Sequence, residues 1–439
     1  MKFQTILLAF FGVMAVVGLI AFSKSDPEKD DSPIAEAKGT VVIWGTYPDL
    51  GMGGVIEKFN QVYAASFNVI YQYHDPKTFD SDIVEALASG RGPDVLLLPD
   101  DLILRHSDKI DIFPYASLPP GVFSEMFIQA AEIYMRDTGF VALPFALDPI
   151  VMYWNRDLFN NESITQPPKY WDELLVMVPK LTKRDQKTSE IKQSGVAFGE
   201  FSNVDHAKDI LAMLFLQVGN PIVKMKNGHP ASAIAVSADG FTYVPDENIV
   251  SAFRFYMDFS NPLKNIYTWT RSKSGSLNEF INGNLAIHFD YASSYKKIQE
   301  KNPYLNFAVA EVPLPRGTTV EVTYGKVHGF AVLKTSQNKK TAFIAIQRLL
   351  FDNDPSANFA TAFNLPPVRR DMLAQKPNDA ALSVFYDAAI RSHSWLDPKP
   401  ELSDVAFREA VEGVSSGKTS VSVALSQLNA KLLVPLASY

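Results

Sequence analysis

Ala86–Asp101 reads ALASGRGPDVLLLPDD, and its second half decides the fold. Asp94–Leu98 (DVLLL) is a short apolar run stopped by Pro99, the pattern of a strand buried on both faces. Before it, Phe79–Ser89 reads as an amphipathic helix closed by Gly90. Further back, Asn68–Tyr73 (NVIYQY) predicts a strand. Val55–Ala65 carries Val55, Ile56, Phe59, Val62 and Tyr63 at helical spacing, and Thr40–Trp44 (TVVIW) predicts an opening strand that ends at Gly45. The order is β-α-β-α-β. Such alternation builds a mostly parallel sheet with helices on both faces.

Downstream the alternation continues. Trp171–Val178 predicts a helix bounded by Pro167-Pro168 and Pro179. Gly195–Phe198 predicts a strand and Asp205–Val218 an apolar helix. Leu285–Phe289 (LAIHF), Phe307–Glu311 and His328–Leu333 predict further strands, the last two flanking a turn at Pro313–Gly317. From about Lys339 the pattern is mostly helical. A chain of 439 residues exceeds one ordinary core. No composition shift marks a single boundary, which suits two lobes between which the chain crosses several times.

Composition narrows the function. The chain is 47% hydrophobic and 20% charged, with a net charge of −7; nucleic-acid binding needs the opposite balance. It has no cysteine, so a thiolate metal site or Cys nucleophile is excluded. That absence suits export into an oxidising space. Thr5–Phe22 (TILLAFFGVMAVVGLIAF) is uncharged and follows Lys2. It predicts either an uncleaved membrane anchor, residues 1–23, or a signal peptide cleaved near Ala21-Phe22-Ser23. Residues 24–38 predict a flexible tether. No two of the seven His residues have metal-ligand spacing, and no phosphate-loop or nucleophile-elbow motif occurs. No metal or cofactor is expected. Gly51-Met52-Gly53-Gly54 reads as a loop before a helix N-terminus.

Several segments, in order, resemble the extracellular solute-binding proteins of ABC importers, the family that includes maltose-binding protein. They are VVIWG (Val41–Gly45), ALASGRGPDVLLLPDD, GFVALPFALDPIVMYWNRDLF (Gly139–Phe159), PPKYWDELL (Pro167–Leu175), NEFINGNLAIHFDYASSY (Asn278–Tyr295) and HGFAVLK (His328–Lys334). The chain departs from the family in lacking a lipid-modified cysteine. It also has Tyr291 and Ser293 after Asp290, where sugar-binding members often have Trp. The resemblance implies a two-lobed α/β fold, each lobe a mostly parallel sheet flanked by helices, joined by a multi-strand hinge. It places lobe 1 at about 39–147 plus 307–362 and lobe 2 at about 148–306 plus 363–439. It implies a ligand cleft between the lobes and no catalysis.

Ligands gather at the carboxyl ends of such strands. Trp44 is either core or a cleft residue, and Tyr47 follows the same strand. Asp101 caps the next turn or accepts sugar hydroxyls; it best matches the family's carboxylate position. Asp148, flanked by apolar residues, accepts ligand hydroxyls or satisfies a structural hydrogen bond. Tyr153 reads as hinge packing. Asn203 and Asp205 open a helix and cap it, or supply a contact the family often places there. Trp269, Asp290, Tyr291, Tyr324 and His328 are candidates for which packing or capping competes with ligand contact. Trp395 stands where the family often has a stacking aromatic. Carboxylates beside aromatic rings suit a carbohydrate, whose ring face is apolar and whose rim is polar.

The expected function is therefore capture of a mono- or oligosaccharide by hinge closure and delivery to a membrane permease, by a monomer at the cell surface or in the periplasm. Three rivals stand beside it. One is the same fold binding a peptide, polyamine or anion, which an Arg369-Arg370 pair facing the cleft would favour. The second is a glycoside hydrolase or lyase using Asp101 and Asp148. The third is a surface adhesion module.

Overall fold

The computed structural model describes residues 37–237 and 243–439. The expected anchor or signal segment, and nearly all of the expected tether, lie outside the described residues. Among the described residues no helix is long and apolar enough to cross a membrane.

β1 (Gly39–Gly45), α1 (Asp49–Tyr63), β2 (Phe67–Tyr73), α2 (Phe79–Ala88) and β3 (Val95–Pro99) follow in the order read from sequence. β1 lies between β2 and β3 and runs parallel to both. Every residue of β3 is buried. The Gly-rich stretch is a correction. Gly51-Met52-Gly53-Gly54 lies inside α1, not in a loop before it. Glycine disfavours a helix by about 1 kcal/mol relative to alanine. Packing decides otherwise at Gly51, where any Cβ would collide with the Phe363 ring.

The rest of the sheet comes from β4 (Leu143–Asn155), β5 (Ile191–Val196), β6 (Leu285–Tyr291), β7 (Phe307–Ala310) and β8 (Thr323–Val332). The order is β2-β1-β3-β8-β4-β6-β5, continued by the short strand Lys183–Arg184, with β7 also on β4 and Ser392–His393 on β8. β6 is parallel to β5, so each wing holds parallel strands, and Lys183–Arg184 closes the second wing antiparallel to β5. β4 and β8 are antiparallel to each other and join the wings. β4 changes partner midway: Leu143–Pro149 pairs with β8, and Ile150–Trp154 pairs with β6. Pro149, which has no N–H to place in a ladder, sits at the switch. A register shift between His328 and Gly329 bends the crossing further.

Two helical stretches differ from the sequence reading. The helix at Trp171 runs to Leu181, through Pro179. A proline this close to a helix end forfeits little, and Thr182 closes the turn by donating its amide and its hydroxyl to the Val178 carbonyl. The apolar helix after Asp205 starts at Ala207. Late in the chain, α3 (Asn353–Phe363) packs on α1.

β2 is an edge strand, and an open edge invites pairing with another chain. Asn60 on α1 closes it locally. Its amide donates to the Val69 carbonyl at 2.8 Å and accepts the Val69 N–H at 2.9 Å. Asn60→Ala removes both bonds. It is expected to lower unfolding free energy by about 2 kcal/mol, at about 1 kcal/mol per hydrogen bond, and to raise the aggregation rate. Urea denaturation and light scattering check both.

Candidate functional site

The two crossing strands carry the site. Every residue of β4 is buried except Asp148, which is half-buried, and every residue of β8 is buried except Lys326. These two positions are register partners in the β4–β8 ladder. Opposite residues in an antiparallel pair share a face. Alternation along β8 adds Tyr324 and His328 to the Lys326 face. A cleft of ≈ 990 Å³ opens there, lined by Asp148, Lys326, His328, Tyr47, Asp101 and Tyr291 among others. A smaller hollow of ≈ 600 Å³ lies on the α1–β2 surface and contains none of these residues.

Charges in the cleft are arranged in couples. Lys326 reaches Asp101 at 2.7 Å. Burial raises the Asp101 carboxyl, but the ammonium groups of Lys326 and Lys208 outweigh it and hold the group below its ordinary value. Asp100, wholly buried behind, is pushed up by burial and then by Asp101; it accepts the Tyr324 hydroxyl at 3.1 Å. Asp148 has a milder setting. It accepts the Ser293 amide at 3.0 Å, and burial lifts it to about 6 against the hydrogen bonds of the Ser293 side chain and amide. Burial and the nearby Lys326 charge lower His328 to about 3, so its ring is neutral. It faces the Tyr47 hydroxyl at 3.3 Å.

His206 occupies the opposite wall with a left-handed backbone, φ 58°. Its ring lies 3.2 Å from Asp290 and 3.8 Å from Asp209. Burial lowers it, but the Asp290 charge prevails and raises it to about 9. In turn His206 and His288 hold Asp290 far below the ordinary carboxylate value, despite its burial. The Tyr291 ring meets His206 edge-on at 4.7 Å, and its hydroxyl donates to Asp209 at 2.8 Å.

Of the twelve residues named from sequence, Tyr47, Asp101, Asp148, Tyr291 and His328 line this cleft. The other seven lie outside its lining. Trp44 is held by Gln72 at 2.5 Å and packs on His74. Trp269 is wholly buried and donates to Asn203, whose own amide ties down the Thr270 and Lys273 carbonyls. Asp205 accepts the Ser276 hydroxyl and the Leu277 amide. Asp290 sits behind His206, and Tyr324 behind Asp101 on Asp100. Trp395 is buried against Phe407. Arg369 pairs with Asp371 and Arg370 donates to the Phe127 carbonyl, so this pair does not line the cleft. Lys326, His206 and Phe363 line it without having been singled out. Extending the β8 alternation back from His328 finds Lys326; no sequence signal marks the other two.

The model of the bacterial extracellular solute-binding proteins matches residues 67–347. The chain belongs to this family. A Brucella abortus (strain 2308) relative, named as a binding protein, is 23% identical over 269 residues, 60% of this chain and 59% of its own length. The chain thus spans about three-fifths of the curated relatives it matches. Similar solved structures share the fold. The sugar-binding protein MalE of Xanthomonas citri is 19% identical with a TM-score of 0.71, covering 91% of this chain and 98% of that one. The cyclic α-maltosyl-1,6-maltose binding protein of Arthrobacter globiformis is 15% identical with a TM-score of 0.72, over 91% and 99%. An ABC substrate-binding protein of Listeria monocytogenes in complex with cycloalternan is 16% identical with a TM-score of 0.68, over 91% and 99%. The family member described here is thus a mixed α/β protein of the two-lobed kind.

The His206 couple has a pH signature. Its folded value of about 9 lies above the unfolded value of 6.5. Its contribution to stability is therefore fully present below about pH 6.5 and is lost as pH rises through about 9. Unfolding free energies measured from pH 6 to 10 are expected to fall across that window. In His206→Gln the fall is expected to shrink, and an unchanged profile would disprove the coupling.

Proposed function

We propose that this chain is the extracytoplasmic receptor of an ABC importer, that it captures a carbohydrate by closing its lobes, and that it hands the sugar to a membrane permease. One observation carries the reading: the two crossing strands open to solvent at Asp148 and Lys326, inside a cleft that also holds Tyr47, Tyr291 and Asp101. Asp148 accepts hydroxyl donors, Lys326 donates to ring or hydroxyl oxygens, and the tyrosines add aromatic lining of the kind that suits C–H groups. The similar solved structures whose names specify a sugar, cyclic α-maltosyl-1,6-maltose or cycloalternan support the same ligand class. No bond needs to break for this function. Closure is favoured because only the shut form makes both sets of contacts.

The lobe boundaries belong to the proposal. The first lobe is taken as 39–147, with the return beginning at Thr323 rather than at residue 307. Phe307–Ala310 pairs with Asn155–Met152, on the far half of β4, and so moves with the second lobe. Helix α3 and its partner α1 stay with the first lobe. An N-terminal segment that tethers the receptor would raise its effective concentration near the permease.

A hydrolase is a second reading with one observation in its favour. Asp101 is lowered and Asp148 raised, and such a split is what acid–base hydrolysis requires. Product analysis after prolonged incubation with oligosaccharides separates the two, since a receptor returns its ligand intact.

The test is a thermal-shift panel of sugars, amino acids and polyamines on the protein from residue 37 onward. A ligand at one hundred times its Kd stabilises by about 2.7 kcal/mol. Sugars are expected to shift the melting temperature and to shrink the radius of gyration in solution scattering; a panel in which only amino acids or polyamines act overturns the sugar reading. Asp148 adds a sign. Hydroxyl donors lower its value from about 6, so binding releases protons near pH 5.5 and tightens as pH rises towards 7. Titration calorimetry in two buffers of different ionisation heat checks this, and Asp148→Asn is expected to abolish the release while weakening affinity by about tenfold or more.

A further inference from the structure

The cleft is electrically graded. Its half-buried inner positions carry Asp101, Asp148 and Lys326, while its exposed rim carries Lys58, Lys77, Lys296 and Glu401. The inner carboxylates suit neutral hydroxyls. The rim holds three lysines against one glutamate. Asp80 also lines the cleft, but Arg105 and His106 already hold it at 2.8 Å each.

The rim lysines stand on both walls. Lys58 is on α1 and Lys77 follows β2, on the first-lobe side; Lys296 lies in the helix Ser294–Lys301 that follows β6, on the other. Their engagements are weak. Lys58 donates to the neutral Asn358 amide at 2.9 Å. Lys296 stands 3.8 Å from Glu300, both side chains about two-thirds exposed, and such a pair contributes little. Like charges on facing walls repel as the walls approach. An anion placed between them reverses the sign of that interaction.

We propose that the ligand is an acidic oligosaccharide, with neutral sugar rings at the inner carboxylates and an anionic substituent, a carboxylate or a sulfate ester, at the Lys58–Lys77–Lys296 rim. This rests on the carbohydrate reading above and narrows it. Lysine is a point charge that does not select between the two acids. Which of them the protein prefers identifies the source of the charge. The cleft's ≈ 990 Å³ is at the upper end of small-molecule sites, about 300–1,000 Å³, as a ligand longer than one ring requires.

The experiment is calorimetric titration with matched pairs: trigalacturonate against galactotriose, and a sulfated galactobiose against its unsulfated parent. The acidic member of at least one pair is expected to bind about tenfold tighter, a factor equal to about 1.4 kcal/mol. That ratio is expected to collapse in 1 M salt, where the screening length falls to about 3 Å. Lys77→Gln and Lys296→Gln, both at exposed positions that leave the fold alone, are expected to lower the ratio, and Glu401→Gln to raise it. Neutral sugars binding as tightly as their acidic partners overturns the inference and leaves the carbohydrate reading standing. An acid preference that survives both lysine changes also overturns it. Failure of every sugar, acidic or neutral, overturns both readings.

Discussion

A lysine and an aspartate face one another across two otherwise buried strands, and the rest of the site is arranged around that burden. Taking charges out of water costs several kcal/mol each unless partners compensate. Lys326 finds its compensation in Asp101, at the end of β3. Asp148 finds hydrogen bonds from Ser293, through both its side chain and its amide. The first charge is thus met by a salt bridge and the second by the hydrogen bonds of one serine. The neighbouring strain at His206, a left-handed residue held between two aspartates, has the same character: surrounding contacts fix a conformation that the residue alone would not choose.

The apolar framework makes this polar arrangement affordable. β3, β4 and β8 are buried almost throughout, so the crossing is stiff where it packs and polar only where it opens. The partner change at Pro149 concentrates the bend near Asp148. The proposed closure would pivot about that point and alter the distance between the walls without breaking either ladder.

Much of this was legible beforehand. The β-α-β-α-β opening follows from short apolar runs and helical spacing, both local properties, and β1, β2 and β3 stand where those runs predict. Asp101 and Asp148 were legible because charges beside apolar strands must have a purpose. What escaped was decided by distant packing. Gly51-Met52-Gly53-Gly54 is helix, and at Gly51 a phenylalanine some three hundred residues later occupies the space a Cβ would need. The tryptophans misled for the same reason: Trp269 and Trp395 have the chemistry of a sugar platform, but they are spent in the core. His206 was invisible because its role depends chiefly on Asp290, brought beside it only by folding.

That long-range cover has another side. Helix α3 supplies Asn358, Thr361 and Phe363 to the cleft, although it lies past residue 347, where the family match ends. Part of the wall is therefore furnished by chain that lies beyond the matched stretch. Substitutions along α3 thus reshape the cleft wall while leaving every strand of the sheet unchanged.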